Sequence, residues 1–178
     1  MLRQHRNSLF GGVAFVMALA TALWLVGSSS LSDGQERITV DHDQPLKEVI
    51  LQGSPTYLTP DFIEEKLVIP QGEHGKKTVV VRRFNFPTRM TSQQVTEAMA
   101  KEGFRPAGFY ELEAFDKAFP RLQFNHSIVA LRDSFEDGDE QKRVPGLWAG
   151  GGSRRLNWFV DSGDSWDRWD VFLGVREE

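Results

Sequence analysis

The chain has 178 residues, of which 40% are hydrophobic, and a formal net charge of −4. It contains no cysteine, which excludes disulfide bonds, thiolate zinc sites and a cysteine nucleophile. All 25 acidic residues but only 19 of the 21 basic ones follow residue 32, so residues 33–178 carry a charge of −6, which argues against nucleic acid as a partner and against an anionic membrane surface.

The first predicted element is an apolar segment at the N-terminus. Residues 9–26 read LFGGVAFVMALATALWLV, and a helix of this length spans about 27 Å, close to the thickness of the bilayer hydrocarbon core. Arg3 and Arg6 precede the segment and acidic residues follow it, which predicts a cytoplasmic N-terminus and a C-terminal domain outside the cytoplasm. Residues 1–32 are therefore predicted to be a signal peptide or a membrane anchor. The alternative is a helix in the protein core, which the lack of a polar face argues against.

The chain that follows is predicted to be a linker over residues 33–45 and a single α+β domain over residues 46–178. The linker is Ser-, Asp- and Gly-rich at its start, as is typical of a tether. The domain begins with a predicted strand at residues 46–51. A turn or short helix is then predicted to begin at Pro60 and to end near Pro70. The next strand is predicted over residues 77–86, which are rich in β-branched and aromatic side chains.

Two helices are predicted in the middle of the domain. The first begins at Thr91, which forms a capping box with Gln94, and ends at Gly103. The second has Glu113 and Lys117 on its solvent side. Its inner face is formed by Phe109, Leu112, Phe115 and Phe119.

The last third of the domain is predicted to be β-structure. The segments between the four strands are rich in Gly and Asp, which are typical of turns. The predicted strands cover residues 127–131, 142–148, 155–161 and 168–176. Together these elements predict an α+β fold in which a largely antiparallel sheet carries two helices.

Catalytic spacing is absent from the sequence. The histidines His42, His74 and His126 are far apart and form no H-E-x-x-H pattern. A hydrolase-type enzyme would have to combine His126 with an acid such as Asp133, brought within hydrogen-bond reach by the fold. No catalytic residue and no cofactor is predicted.

Aspartates recur at every third position near the C-terminus, at Asp161, Asp164, Asp167 and Asp170. Carboxylate oxygens on a turn suit Ca²⁺, but aspartate is also a common turn former and the spacing is not that of an EF-hand. The prediction is a turn, with no metal, and Ca²⁺ binding is the alternative.

Tryptophan and arginine residues of the last third are the predicted ligand-binding residues. The arginines follow a run of three glycines, where backbone N–H groups and cations can hold an anion; a flexible hairpin is the alternative. The tryptophans lie in or beside polar loops, where an indole can contact a ligand or another protein; packing over the sheet edge is the alternative. The residues are Trp148, Arg154, Arg155, Trp166 and Trp169.

Several short motifs carry a family resemblance. The chain has GFRPA at 103–107, ELEAF at 111–115, IVAL at 128–131 and FLGVR at 172–176. In their order and spacing these resemble an uncharacterised family of bacterial proteins common in small-genome, uncultured lineages. The order of helices and strands is also similar to the C-type-lectin-like fold, whose late loops often carry ligand contacts. The chain lacks the usual cysteines of that fold.

The function predicted from these features is a membrane-tethered or secreted, non-catalytic binding domain with a protein or a glycan as its partner. The alternatives are an extracytoplasmic hydrolase-type enzyme and a structural component of the cell envelope.

Overall fold

A computed structural model of the chain describes residues 34–52, 60–69, 73–119, 126–150, 153–164 and 166–177. They belong to one unit, Leu31–Glu178. The predicted apolar segment at residues 9–26 lies outside the described residues. Within the described ranges, no helix is long and apolar enough to cross a membrane.

The described residues form helices and strands in alternating groups along the chain. In order these are β1 (Gln35–Asp41), α1 (Leu46–Gln52), α2 (Pro60–Lys66), β2 (Lys76–Asn85), α3 (Ser92–Lys101), β3 (Arg105–Pro106), α4 (Phe109–Ala118), β4 (Ile128–Val129), β5 (Phe135–Glu136), β6 (Lys142–Gly150), β7 (Ser153–Val160) and β8 (Val171–Glu177).

The strands form one sheet in the order β1-β2-β8-β4-β6-β5, with β3 paired to β8 and β7 paired to β6. All these pairs are antiparallel except β4 with β8, which is parallel. The structure therefore confirms a mixed α and β fold with a largely antiparallel sheet. Strand β8 is central and is buried from Val171 to Val175, which explains its unbroken apolar sequence.

Both faces of the sheet are covered. Along β2, Val79 and Val81 belong to one hydrophobic cluster and Val80 and Phe84 to another, because alternate side chains of a strand point to opposite faces. The first cluster includes apolar residues of α1, α2 and α4, and the second includes those of α3. The sheet is therefore packed between helices on its two sides.

The start of the domain differs from the sequence prediction. The segment predicted as a linker contains β1, and the strand predicted at residues 46–51 is the helix α1. In β1, Ile38 and Val40 are buried and alternate with exposed residues, as in a strand with one buried face. In α1, Leu46, Val49 and Ile50 follow the i, i+3, i+4 spacing of a helix face. Each pattern covers only a few residues, so the sequence prediction followed the local composition instead.

The helix signals in the middle of the domain are confirmed. Helix α3 has the capping box: Thr91 Oγ1 accepts a hydrogen bond from the Gln94 amide at 3.2 Å, and the Thr91 amide donates to Gln94 Oε1 at 2.9 Å. Gly103 has a φ of 77°, which favours glycine where a helix ends. One detail is wrong: Glu113 of α4, predicted on the solvent side, is only 4% exposed.

Strand β6 requires a glycine at position 146. A Cβ atom there would lie 2.6 Å from Phe159 Cε2 and 2.9 Å from the Ile128 carbonyl oxygen. We expect Gly146→Ala to lower the free energy of unfolding by about 2 kcal/mol, because overpacking forces side chains and backbone apart. The control is Gly138→Ala, since a Cβ atom at Gly138 would meet nothing within 4 Å. Equal urea midpoints for the two variants would contradict this packing argument.

Candidate functional site

A cleft opens beside the end of β2, at the point where β1 stops covering it. The pairing of β1 with β2 ends at Gln35 and Arg82, so in the described part of the chain β2 has no neighbour on that side beyond Arg82. Arg168 and Trp169, from the loop before β8, line the same cleft. The cleft has a volume of about 640 Å³, a size that suits a small ligand. We call it the Arg–Trp cleft; its polar and aromatic wall is formed by Arg82, Arg83, Asn85, His126, Arg168 and Trp169.

The charge of the Arg–Trp cleft is opposite to that of the whole chain. Three arginines and one histidine line it, and none of its described lining residues is acidic, although the chain as a whole has a net charge of −4. Arg82 forms an ion pair with Glu102 and lies over the Phe84 ring. Arg83 and Arg168 form no ion pair with any residue that the structure describes. Among the described residues, an anion in the cleft would therefore meet these two charges without a competing carboxylate.

Trp169 is an exposed aromatic side chain in a loop whose backbone is held by hydrogen bonds. It is 60% exposed, and the guanidinium carbon of Arg168 lies 4.6 Å from the centre of its ring. The Trp169 amide donates to Asp167 Oδ1 at 3.3 Å, and the Asp167 amide donates to Asp170 Oδ2 at 2.9 Å. These bonds hold the loop backbone, and the indole stays largely exposed with the Arg168 guanidinium over one of its faces.

Neighbouring elements fix the same loop. Asn85 Nδ2 donates to the Arg168 carbonyl oxygen at 3.0 Å, which ties the loop to β2. Trp166 Nε1 donates to Ser92 Oγ at 2.7 Å, and its ring packs edge-on against Phe172. Residues 166–170 of the loop are therefore prearranged, which lowers the entropy lost when a ligand binds.

A second group of charged side chains lies at the start of α4, and we call it the ionic cluster: Glu73, Arg105, Glu111, Arg132 and Asp133. Glu111 is 0% exposed, and its carboxylate accepts hydrogen bonds from Arg105 Nη2 at 2.6 Å and from the Gly108 amide at 2.5 Å. Arg132 binds both oxygens of Glu73, at 2.8 and 3.1 Å. The cluster therefore joins α4 to the segments before β2 and after β4.

The two most buried carboxylates of the ionic cluster differ in acidity. Burial opposes the ionisation of Glu111, but the hydrogen bond from Arg105 and the charges of Arg132 and Arg105 outweigh it, so the pKa of Glu111 lies below its ordinary value. For Asp133 burial dominates over the charge of Arg132 and the hydrogen bond from the Phe109 amide, and the pKa is raised. The cluster thus contains two acids whose contributions to stability have opposite pH dependence.

His42 joins two acids of the ionic cluster in a group with metal-ligand chemistry. One ligand atom from each of His42, Glu73 and Glu111 lies within 4.8 Å of the others, and His42 Nδ1 is 3.3 Å from Glu73 Oε2. The carboxylates, however, already bind the guanidinium groups of Arg105 and Arg132. A divalent cation would be repelled by these two charges, so the geometry does not suit a metal ion.

The aspartates near the C-terminus have separate partners. Asp161 binds Ser92 Oγ at 2.7 Å and Lys142 Nζ at 3.0 Å, whereas Asp164 binds Ser162 and Asp167 binds Arg89. No group of metal-ligand residues that includes them is found among the described residues. Asp167 Oδ1 also accepts a hydrogen bond from the Trp169 amide two residues on, which is typical of a turn former.

The five predicted ligand-binding residues are not gathered in one place. Trp169 lines the Arg–Trp cleft, and Trp166 anchors the same loop through its hydrogen bond to Ser92. Trp148 is 45% exposed on β6, paired with Arg155 of β7, and does not line the cleft. The side chains of Arg154 and Arg155 lie outside the described part of the chain.

The proposed catalytic pair is not brought together either. His126 lies exposed at the Arg–Trp cleft, whereas Asp133 is 0% exposed and accepts hydrogen bonds from the Phe109 amide at 2.6 Å and from Arg132 Nε at 3.0 Å. Neither residue forms an ion pair with the other in the described part of the chain.

Sequence reasoning missed most of the Arg–Trp cleft. Arg82, Arg83 and Asn85 belong to a strand predicted for its apolar residues, and Arg168 lies more than 80 positions further along the chain. The sequence signal that could have indicated the cleft was a pair of adjacent arginines inside a predicted strand of an acidic chain.

Comparison of the chain with models of protein families, with curated proteins and with solved structures finds no match.

Proposed function

We propose that the chain is a non-catalytic binding protein, tethered to a membrane or secreted through its first 32 residues, and that its ligand binds in the Arg–Trp cleft. The observation that carries this proposal is the combination of Arg83, Arg168 and the exposed Trp169 in one prearranged cleft. Exposed aromatic side chains next to arginines are typical of binding hot spots.

The absence of a catalytic arrangement in the described part of the cleft favours binding over chemistry. General acid–base catalysis needs a base and an acid within hydrogen-bond reach of the reacting group. The described lining contains one histidine, His126, and no carboxylate that could act as its partner. A ligand recovered from the protein is therefore expected to be chemically unchanged.

The site can be tested without knowing the ligand. The photo-crosslinking residue benzoylphenylalanine is placed at position 169 of the full chain in living cells, and at position 148 in a matched variant, since both native tryptophans are exposed. After irradiation we expect adducts of defined mass with the position 169 variant at a yield at least fivefold above that of the position 148 variant. Adducts at position 148 alone, or at neither position, would contradict the cleft as the binding site.

A further inference from the structure

We propose that the Arg–Trp cleft recognises an anion joined to a sugar ring, such as a phosphorylated or carboxylated sugar unit. The inference rests on the proposed function of the cleft as the ligand site. It adds the chemical class of the ligand, because the arginines and the tryptophan of the cleft have different requirements.

The cationic part of the cleft selects the anion. Arg83 and Arg168 have no ion partner among the described residues, and His126 lies at the same wall. Guanidinium groups bind phosphate and carboxylate oxygens through paired N–H donors. Arg82 contributes less, because Glu102 already neutralises it. A neutral ligand would leave this positive charge without a partner.

Trp169 selects the ring. The indole is 60% exposed and carries the Arg168 guanidinium at 4.6 Å from its ring centre. The guanidinium lies over one face of the indole, so a ring that packs against the exposed part of the indole would bring its anionic substituent close to a cation. An inorganic anion would leave the indole exposed, and an apolar ring would leave the arginine unpaired.

The same chemistry occurs in two sources: a free anionic saccharide and the headgroup of a lipid that carries a sugar or inositol ring. The cleft volume of about 640 Å³ admits either a sugar unit or such a headgroup. Comparing free and lipid-borne probes distinguishes the two sources.

The test titrates the full chain, in a detergent with an uncharged headgroup, by calorimetry. The probes are glucose 1-phosphate and glucuronate, which combine anion and ring, with inorganic phosphate and glucose as the single-component probes. We expect at least one combined probe to bind at least tenfold more tightly than either single-component probe. Inositol 1-phosphate is then compared with dibutanoyl phosphatidylinositol; whichever binds more tightly identifies the free or the lipid-borne source.

Variants assign the two parts of the ligand. Trp169→Ala is expected to reduce the affinity for the best combined probe to that for inorganic phosphate. The double variant Arg83→Ala with Arg168→Ala is expected to weaken both at least tenfold. The controls are Trp148→Ala and Lys101→Ala, which change exposed residues of the same two chemical types outside the cleft.

Two outcomes overturn the inference. One is equal affinity for inorganic phosphate and the combined probes, which would indicate an anion site without ring selection. The other is combined-probe binding that Trp169→Ala leaves unchanged. If the probes fail while crosslinks form at position 169, the ligand class is wrong and the proposed function stands. If both fail, the proposed function falls as well.

Discussion

Replacing Glu111 by glutamine is expected to lower the free energy of unfolding by about 3 kcal/mol at neutral pH. Glu111 is fully buried and binds the guanidinium groups of Arg105 and Arg132 as well as the Gly108 amide. The substitution keeps the shape of the side chain but leaves both arginines short of a negative charge. Removing one member of a buried ion pair commonly costs about 3–5 kcal/mol. Urea unfolding of both proteins measures the difference.

The effect of Glu111→Gln is expected to depend on pH. The folded pKa of Glu111 lies below its ordinary value of 4.5, so the folded state releases this proton more readily than the unfolded chain. The carboxylate therefore contributes its full stability above about pH 4.5 and loses it as the pH falls through the folded pKa. The difference in free energy of unfolding between the wild type and Glu111→Gln should be largest near pH 7 and should decrease on acidification.

Asp133→Asn provides a control with the opposite slope. The folded pKa of Asp133 is raised above its ordinary value of 3.8, so its contribution is present at low pH and is lost as the pH rises through the folded pKa. The destabilisation caused by Asp133→Asn should therefore shrink as the pH rises. If the loss of unfolding free energy caused by Glu111→Gln is the same at every pH, the charge of Glu111 is not what stabilises the ionic cluster.

Replacing Trp158 by alanine is expected to lower the free energy of unfolding by about 4 kcal/mol. Trp158 is fully buried, stacks on Phe109 with ring centres 5.9 Å apart and meets Phe135 edge-on at 5.0 Å. Truncation of a buried tryptophan removes its contacts and leaves a cavity, at a cost of about 3–5 kcal/mol. The measurement is urea unfolding followed by circular dichroism, which does not depend on the indole that is removed.

Two comparison variants test whether the loss of stability comes from the burial of Trp158. Trp158→Phe is expected to cost about 1–2 kcal/mol, because it keeps the aromatic packing and removes an indole N–H that is buried without a hydrogen-bond partner in the described structure. Trp148→Ala changes a tryptophan that is 45% exposed and is expected to cost less than about 1 kcal/mol. Similar losses in Trp148→Ala and Trp158→Ala would refute the assignment of Trp158 to the core.

Segments with clear capping signals or a long apolar run were predictable from sequence, whereas β1 and α1 were not. The ends of helix α3 are indicated in the sequence by Thr91, Gln94 and Gly103, because capping and helix termination depend on neighbouring residues. The segments α1 and β1 are seven residues each. Their apolar residues are too few to separate a period of two from a period of 3.6, so local composition misled the prediction.

The candidate site was predictable in one residue and hidden in the rest. Trp169 stands out in the sequence as a tryptophan beside a polar turn. Its arginine partners from β2 come within reach only because β8 pairs with β2 over Arg83 and Asn85, which places the loop before β8 next to them. No pattern within either segment encodes that pairing.

The amino-acid sequence by itself determined the α+β class, the two central helices and the absence of thiol chemistry, because each depends on composition or on residues a few positions apart. The tertiary structure alone decided which charges are buried and which remain available. Glu111 and Arg83 are both charged residues within regular elements. The first is paired inside the ionic cluster and the second lines a cleft, because long-range pairing of strands sets the dielectric environment and the partners of each charge.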